Sequence, residues 1–546
     1  MKCITKPLGL AICMFLLMTG IPEAGLPGDL RQIMDENRET TFPSLHPDLE
    51  DTINSFVQLN LDRDEHVRIF EILRRTRTLL HTDGMDTSVL WRIFGTADLG
   101  ALLTHEQLNE EIRFLFDLLR HGYDGYLYFG GDDVFLPIRD AMLERLANMA
   151  DPLPVFSYLY GLLVPAFQGV VADNHFRIHN VRFWAPTHIP YMNGEFILRK
   201  GEGNFVTVIN GVPHRVVEVT GLPSPSVDGI LPTLTPDGEF AWAFGFVTPN
   251  SQPDAMEIMV LFENTATGEN HSQAINLQRV NSWQLPTHPV VVKHEVKGIP
   301  VLENRSLLNL SPEEEIAFLR SSYELRDRPV LVMDLRGHIG GNSGLPRQWV
   351  GTYTGQEPQI YSLFAASRLL GSRVATELLH FFVPLHISAL IDGVMETLMA
   401  IDPRFATIED MADPMLEQMP LITSVPMTPP RVPISNENLV IVLTDKNTSS
   451  AGELFVGHLR QLENVLVVGT NTEGTFFTGG VGRTMLPHSG LAVMFGTRLY
   501  LRHDLSQFEG VGLMPDLWVP PGESLERVLR FIERYGLANG AFGTVD

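Results

Sequence analysis

Thr444-Asp445-Lys446-Asn447-Thr448-Ser449-Ser450-Ala451-Gly452-Glu453 decides the fold. A continuous apolar run of strand length, Leu439 to Leu443, enters this polar turn, and a helical segment, Ala451 to Leu462, leaves it. Val465 to Val468 then reads as a second strand. Strand, helix and strand in this order predict a layered sheet with covering helices. Ser450 stands at the start of the helix, in the positive end of its dipole, where the N–H of the next residue can face a developing oxyanion. Ser450-Ala451-Gly452-Glu453 is also a capping box, so the same serine has a purely structural use.

Working outward, Pro329 to Leu335 is another apolar run, and Ser311-Pro312-Glu313-Glu314 is a capping box that opens a helix before it. The run ends in Asp334-Leu335-Arg336-Gly337-His338-Ile339-Gly340-Gly341-Asn342. Glycines after a strand let the backbone approach a ligand and turn N–H groups inward, as an oxyanion hole requires. A phosphate-binding loop is a competing use of such a turn, but the Gly-Lys-Ser/Thr ending and the spacing of a Walker loop are missing.

These two turns, in this order and each after a strand, resemble the C-terminal processing (tail-specific) serine peptidase family, which includes the tricorn core protease. The resemblance spans Pro300 to Tyr535 and continues into Phe508-Glu509-Gly510-Val511-Gly512-Leu513-Met514-Pro515-Asp516, similar to the family's closing segment. It implies an α/β core of the tail-specific protease (ClpP/crotonase-like) type. It also implies that Ser450 is the nucleophile, with Ala451 and Gly340 or Gly341 supplying oxyanion N–H groups. The family's processing branch activates its serine with a lysine, but Thr475 occupies that position, and no lysine follows Lys446. The chain is therefore more similar to the tricorn-like Ser/His branch. Val171-Ala172-Asp173-Asn174-His175-Phe176 resembles that branch's Asp-Gly-His-Thr pattern, which makes His175 the implied general base. Glu509 matches the glutamate that orients the imidazole.

The 546 residues suggest several packed units. Residues 1–24 read as a signal peptide: Lys2 and Lys6 precede the apolar run Leu8 to Met18, and Pro22-Glu23-Ala24 supplies a cleavage site. Export to the periplasm or the extracellular space follows, with no membrane span after cleavage; a retained anchor is the alternative. Both cysteines, Cys3 and Cys13, lie in this segment, which excludes a cysteine nucleophile, a thiolate zinc site and disulfides from the mature chain. The net charge of -25 disfavours nucleic acid as a partner.

Helical spacing marks a domain at 25–190, with apolar positions recurring through Val67 to Leu73 and Ile112 to Leu119. Short Val/Ile/Phe-rich runs between glycines and prolines mark a β-rich module at 191–290. Val208-Ile209-Asn210-Gly211-Val212-Pro213 resembles a turn of the family's PDZ-like insert, implying peptide capture by strand addition. The catalytic domain then runs over 291–546, with a helical insertion at 350–433 that ends in a Pro-rich linker, Pro426 to Pro433.

The expected activity is hydrolysis of peptide or protein substrates through an acyl-enzyme on Ser450, with no cofactor and no metal. Two rivals stand beside it. One is a catalytically inactive peptide-binding protein of the same fold. The other is a metal-dependent hydrolase built on His175 and His179, which have zinc-ligand spacing if they share a helix. Gly130-Gly131-Asp132-Asp133 reads as a turn, since it lacks the alternating oxygen ligands of a calcium loop.

Overall fold

The computed structural model describes residues 25–55, 68–69, 71–73, 97–183, 187–201, 203–223, 229–249, 253–282, 290–308, 310–359, 363–364, 366–369, 374, 378, 421–422, 433–540 and 544–545. The signal segment, both cysteines, most of the 350–433 insertion and nearly all of its Pro-rich linker lie outside these residues.

The first helix of the described residues is α1 (Gly28–Thr41), followed by the longer helices α2 (His105–Gly122) and α3 (Gly131–Ala147). Thr104 caps α2 in a capping box with Gln107. Gly130 adopts a left-handed conformation at the start of α3, where Asp132 accepts hydrogen bonds from Arg120 and Tyr126. The Gly-Gly-Asp-Asp stretch is thus the paired N-terminus of a helix. A two-strand hairpin follows, β1 (Arg177–Ile178) and β2 (Val181–Arg182).

Seven antiparallel strands come next: β3 (His188–Gly201), β4 (Asn204–Ile209), β5 (Val212–Thr220), β6 (Ile230–Leu234), β7 (Phe240–Pro249), β8 (Ala255–Asn264) and β9 (Asn270–Arg279). β9 pairs back onto β3, so the sheet curls into a barrel-like closure around Phe244, Phe246 and Phe262. Closure satisfies backbone groups that an open sheet would expose. The terminal strand β6 docks on the parallel sheet described next, with Thr233 Oγ1 donating to the Trp518 carbonyl at 2.6 Å.

The central sheet comprises β10 (Val291–Val296), β11 (Ile299–Asn304), β12 (Val330–Asp334), β13 (Leu439–Thr444) and β14 (Val465–Gly469), with an edge strand given below. Its helices on one face are α4 (Pro312–Leu325), α5 (Gly344–Thr354) and α6 (Ala451–Leu459). β12, β13 and β14 are parallel neighbours and wholly buried, which explains their unbroken apolar sequences. Successive residues feed opposite faces. Leu331, Met333, Val440, Val442, Val465 and Val467 pack on Phe318, Trp349 and Phe455 of α4, α5 and α6. Val330, Val332, Leu439, Ile441, Leu466 and Val468 pack on the other face.

Two further strands, β15 (Thr478–Met485) and β16 (Ala492–Leu501), form a second sheet with the hairpin: β16 pairs β15 on one side and β1 on the other. The central sheet closes with β17 (Leu517–Trp518) at its edge and helix α7 (Pro521–Arg534) over the second face. That face is shared with Leu30 and Met34 of α1, so α1 belongs with the central sheet rather than with the helices that follow it.

Asp334 is the register partner of Leu443, and Thr444 of Gly469, so three parallel strands end at the same level. The loops at 335–341, 445–450 and 470–475 therefore converge at the carboxyl edge of the sheet, where open α/β folds bind ligands.

Candidate active site

The first two loops are zipped together. Thr448 Oγ1 donates to the Leu335 carbonyl at 2.8 Å, Ser449 N–H to the His338 carbonyl at 2.8 Å, and Gly337 N–H to Asp445 Oδ1 at 2.8 Å. Beneath them Asp334 is buried against Arg336 and Arg305. Burial raises its carboxyl, but the two guanidiniums more than offset this and hold it below the usual range.

Ser450 sits at φ 51°, ψ −116°. The other capping serine and threonine, Ser311 and Thr104, have the extended backbone that a cap requires. Capping thus leaves the Ser450 conformation unexplained. A positive φ on a non-glycine costs about 1–3 kcal/mol and persists where the surroundings enforce it. A strained serine on a sharp strand-to-helix turn is the geometry of a nucleophile elbow, which lifts the hydroxyl out of the sheet. Ser450 is half-buried, whereas Thr448, Ser449 and Ala451 are buried.

Gly340 lies against the serine: a Cβ there would meet Ser450 Cβ at 3.0 Å and Oγ at 3.4 Å. Its N–H, expected as an oxyanion donor, is already engaged, because it donates to His338 Nδ1 at 3.0 Å. The bridge between Leu307 and Gly341 uses the Gly340 carbonyl and the Asn342 N–H. The Gly341 N–H stands outside that bridge. His338 is fully buried, and burial pushes it down to about 3, so it is the neutral tautomer that accepts from Gly340.

His175 arrives from the other side. The 173–176 segment is a turn leading into β1, and His179 lies beyond β1 at φ 55°. The shared helix that would stack His175 over His179 does not form, which removes the basis for the zinc reading. Asp173 fixes the turn by accepting the His175 N–H at 2.8 Å, with Thr478 and Tyr123 hydroxyls on the same carboxylate. No hydrogen bond joins the carboxylate of Glu509 to the imidazole. Its Oε1 accepts the Asn174 N–H at 2.7 Å, and its Oε2 accepts the N–H groups of Phe476 and Phe477 at 3.3 and 2.9 Å. Glu509 thus holds the backbone beside His175. Burial and then the Asp173 charge push Glu509 well above the usual carboxylate range.

The two halves meet through the third loop. Glu453 accepts the N–H of Ser450 at 3.0 Å and the N–H groups of Gly474 and Thr475, both at 2.7 Å. Asn174 Nδ2 in turn donates to the Gly474 carbonyl at 3.0 Å. No hydrogen bond joins Ser450 Oγ to His175, whose Nδ1 is buried without a partner, as is Thr475 Oγ1. Orphaned buried polar atoms are rare, and a pair of them flanking one loop marks a place awaiting other partners.

Lys446 is a participant that sequence reasoning missed. Its Nζ donates to the carbonyls of Thr472 at 2.7 Å, Glu473 at 3.3 Å and Gly510 at 3.4 Å. Burial holds the ammonium down to about 8, against the pull of Glu453, Glu473, Asp445 and Glu509. A lysine two residues after a buried strand and four residues before the candidate nucleophile was the available signal.

Residues 411–519 match the model of peptidase family S41. No curated protein is similar in sequence. Among solved structures, the chain is similar to mature CPAF at 12% identity and TM-score 0.40, covering 81% of this chain and 99% of that one. The photosystem II D1 C-terminal processing protease matches at 13% and 0.30, covering 78% and 97%. The tricorn protease matches at 12% and 0.31, covering 79% and 37%. Among the described residues no helix is long and apolar enough to cross a membrane.

Proposed function

We propose, from the match of residues 411–519 to peptidase family S41, that the chain is an exported endopeptidase of that family whose nucleophile is Ser450. The observation that carries this reading is the strained backbone of Ser450 at the carboxyl edge of the sheet. In the proposed reaction Ser450 Oγ attacks the scissile carbonyl and its proton passes to His175. The N–H groups of Ala451 and Gly341 stabilise the tetrahedral oxyanion, and water resolves the acyl-enzyme. Asp173 and Glu509 act as positioning residues, holding the turn that carries the imidazole. Lys446 fixes the 472–474 loop against Gly510.

The barrel, in this reading, captures an extended peptide in the manner of a PDZ-like insert. Closure of β9 onto β3 and docking of β6 limit the edges available for strand addition. A catalytically inactive binding protein is the second reading. It is favoured by one observation: burial, then Arg177 and Arg483, push His175 down to about 3, far from the value that suits a base at neutral pH.

Labelling with a serine-directed fluorophosphonate separates the two. Covalent labelling that disappears in Ser450→Ala and slows in His175→Ala supports the peptidase. A folded chain that takes no label fits the inactive binding protein.

A further inference from the structure

Arg182 and Arg177 are direct cross-strand partners in the β1–β2 hairpin. Arg177 is in turn the partner of Met494 on β16, and Met494 of Arg483 on β15. Directly opposed residues project from the same face of a sheet, so the three arginines form one row across four strands. Arg483 Nε lies 3.4 Å from Met494 Sδ, closing the row. Like charges set directly opposite one another are destabilising, so the row carries a local electrostatic cost.

All three guanidiniums are half-buried, and Arg177 Nε is buried without a hydrogen-bond partner. One carboxylate already reaches the row: Glu473 Oε1 is 3.5 Å from Arg182. The same Glu473 donates its N–H to the Thr448 carbonyl at 2.9 Å, two residues before Ser450. The row therefore borders the turn that carries the candidate nucleophile. It also borders the candidate base, since the charges of Arg177, Arg483 and Arg182 all bear on His175. Burial and mutual repulsion hold Arg177 down to about 10 and Arg483 to about 9.

We propose that Arg177, Arg182 and Arg483 form a carboxylate-binding subsite that selects peptides presenting an acidic group beside the scissile bond. The planar forks of guanidinium match a carboxylate, and a half-buried site strengthens the contact. The proposal rests on the assignment of the active site to Ser450 and His175. It adds a coupling to that assignment: a substrate carboxylate on the row offsets the charges that disfavour a protonated His175. The imidazolium formed as Ser450 loses its proton then becomes easier to make.

The test is calorimetric titration of the full chain carrying Ser450→Ala with peptides of one apolar sequence. One peptide is amidated and neutral, a second set is amidated with a single glutamate at each position in turn, and a third is a neutral free acid. A side-chain subsite makes at least one glutamate peptide bind about tenfold tighter than the neutral amide. A subsite for the chain terminus gives that advantage to the free acid instead. In either case the advantage should shrink as salt is raised and be lost in Arg177→Gln and Arg483→Gln. These variants should fold, because each removes a like charge from the row, and thermal melts check this. Binding of all peptides within twofold of one another, no measurable binding, or an advantage that survives both arginine variants overturns the proposal. Failure of fluorophosphonate labelling alongside a preserved carboxylate preference removes the nucleophile assignment and leaves the subsite standing.

Discussion

Glu453 accepts the N–H of Ser450 at 3.0 Å while its two oxygens also take Gly474, Thr475 and the hydroxyl of Thr472. One carboxylate thus ties the turn that carries Ser450 to the loop facing His175. Glu453→Gln puts an amide donor where one oxygen accepts, and should cost about 1–3 kcal/mol in urea denaturation. Burial pushes Glu453 up to about 7, and the ionised form alone can accept from every donor. The labelling rate should rise with pH through about 7, and this rise should vanish in Glu453→Gln.

The positive φ of Ser450 gives a prediction of opposite sign for stability and activity. If the serine were merely a cap, Ser450→Gly would lose a few tenths of a kcal/mol. Because glycine relaxes the strained backbone, Ser450→Gly should instead gain about 1 kcal/mol while abolishing labelling. Chemical denaturation of the two proteins side by side reads the sign.

Gly340 and Gly341 should respond differently to alanine. At Gly340, with φ +97°, a methyl group meets the Ser450 side chain, so Gly340→Ala should displace the hydroxyl and slow labelling roughly 100-fold. At Gly341 the added carbon would lie 2.1 Å from the Leu307 carbonyl carbon. Gly341→Ala should therefore lower the melting temperature markedly, whereas Gly340→Ala costs about 1–2 kcal/mol of backbone strain.

His338 provides a pH-dependent stability. Its folded form stays neutral down to about 3, whereas in the unfolded chain a histidine takes up its proton near 6.5. Between these values the unfolded state binds more protons, so this contribution to stability is present above about 6.5 and is lost as pH falls. The loss is about 1.4 kcal/mol per pH unit. His338→Gln keeps an acceptor for Gly340 but does not titrate there. The stability of the wild type relative to this variant should decline from pH 6.5 to 4 with that slope.

Much of the central sheet was legible because buried parallel strands must be apolar throughout. Val330–Asp334, Leu439–Thr444 and Val465–Gly469 begin and end within a residue or so of their expected positions. Ser311 and Glu314 form the expected capping box, with Ser311 N–H donating to the Glu314 carboxylate at 2.8 Å. Less visible were features set by distant partners. The pairing of Arg177 with Met494 turns a presumed helical stretch into a strand, and no local pattern announces a partner more than 300 residues away. Nor could spacing reveal that the Gly340 N–H is held by His338, or that Glu509 reaches backbone rather than imidazole. Both depend on how three loops pack at one edge.

Asn174 and Glu509 are 335 positions apart, yet their 2.7 Å contact holds the backbone beside His175. During synthesis the amino-terminal part emerges and folds first. A growing chain therefore carries His175 long before it possesses the carboxylate that steadies it, or the serine it is proposed to serve. Hydrolytic capability would then appear only at the close of translation, which protects the unfinished polypeptide and its neighbours.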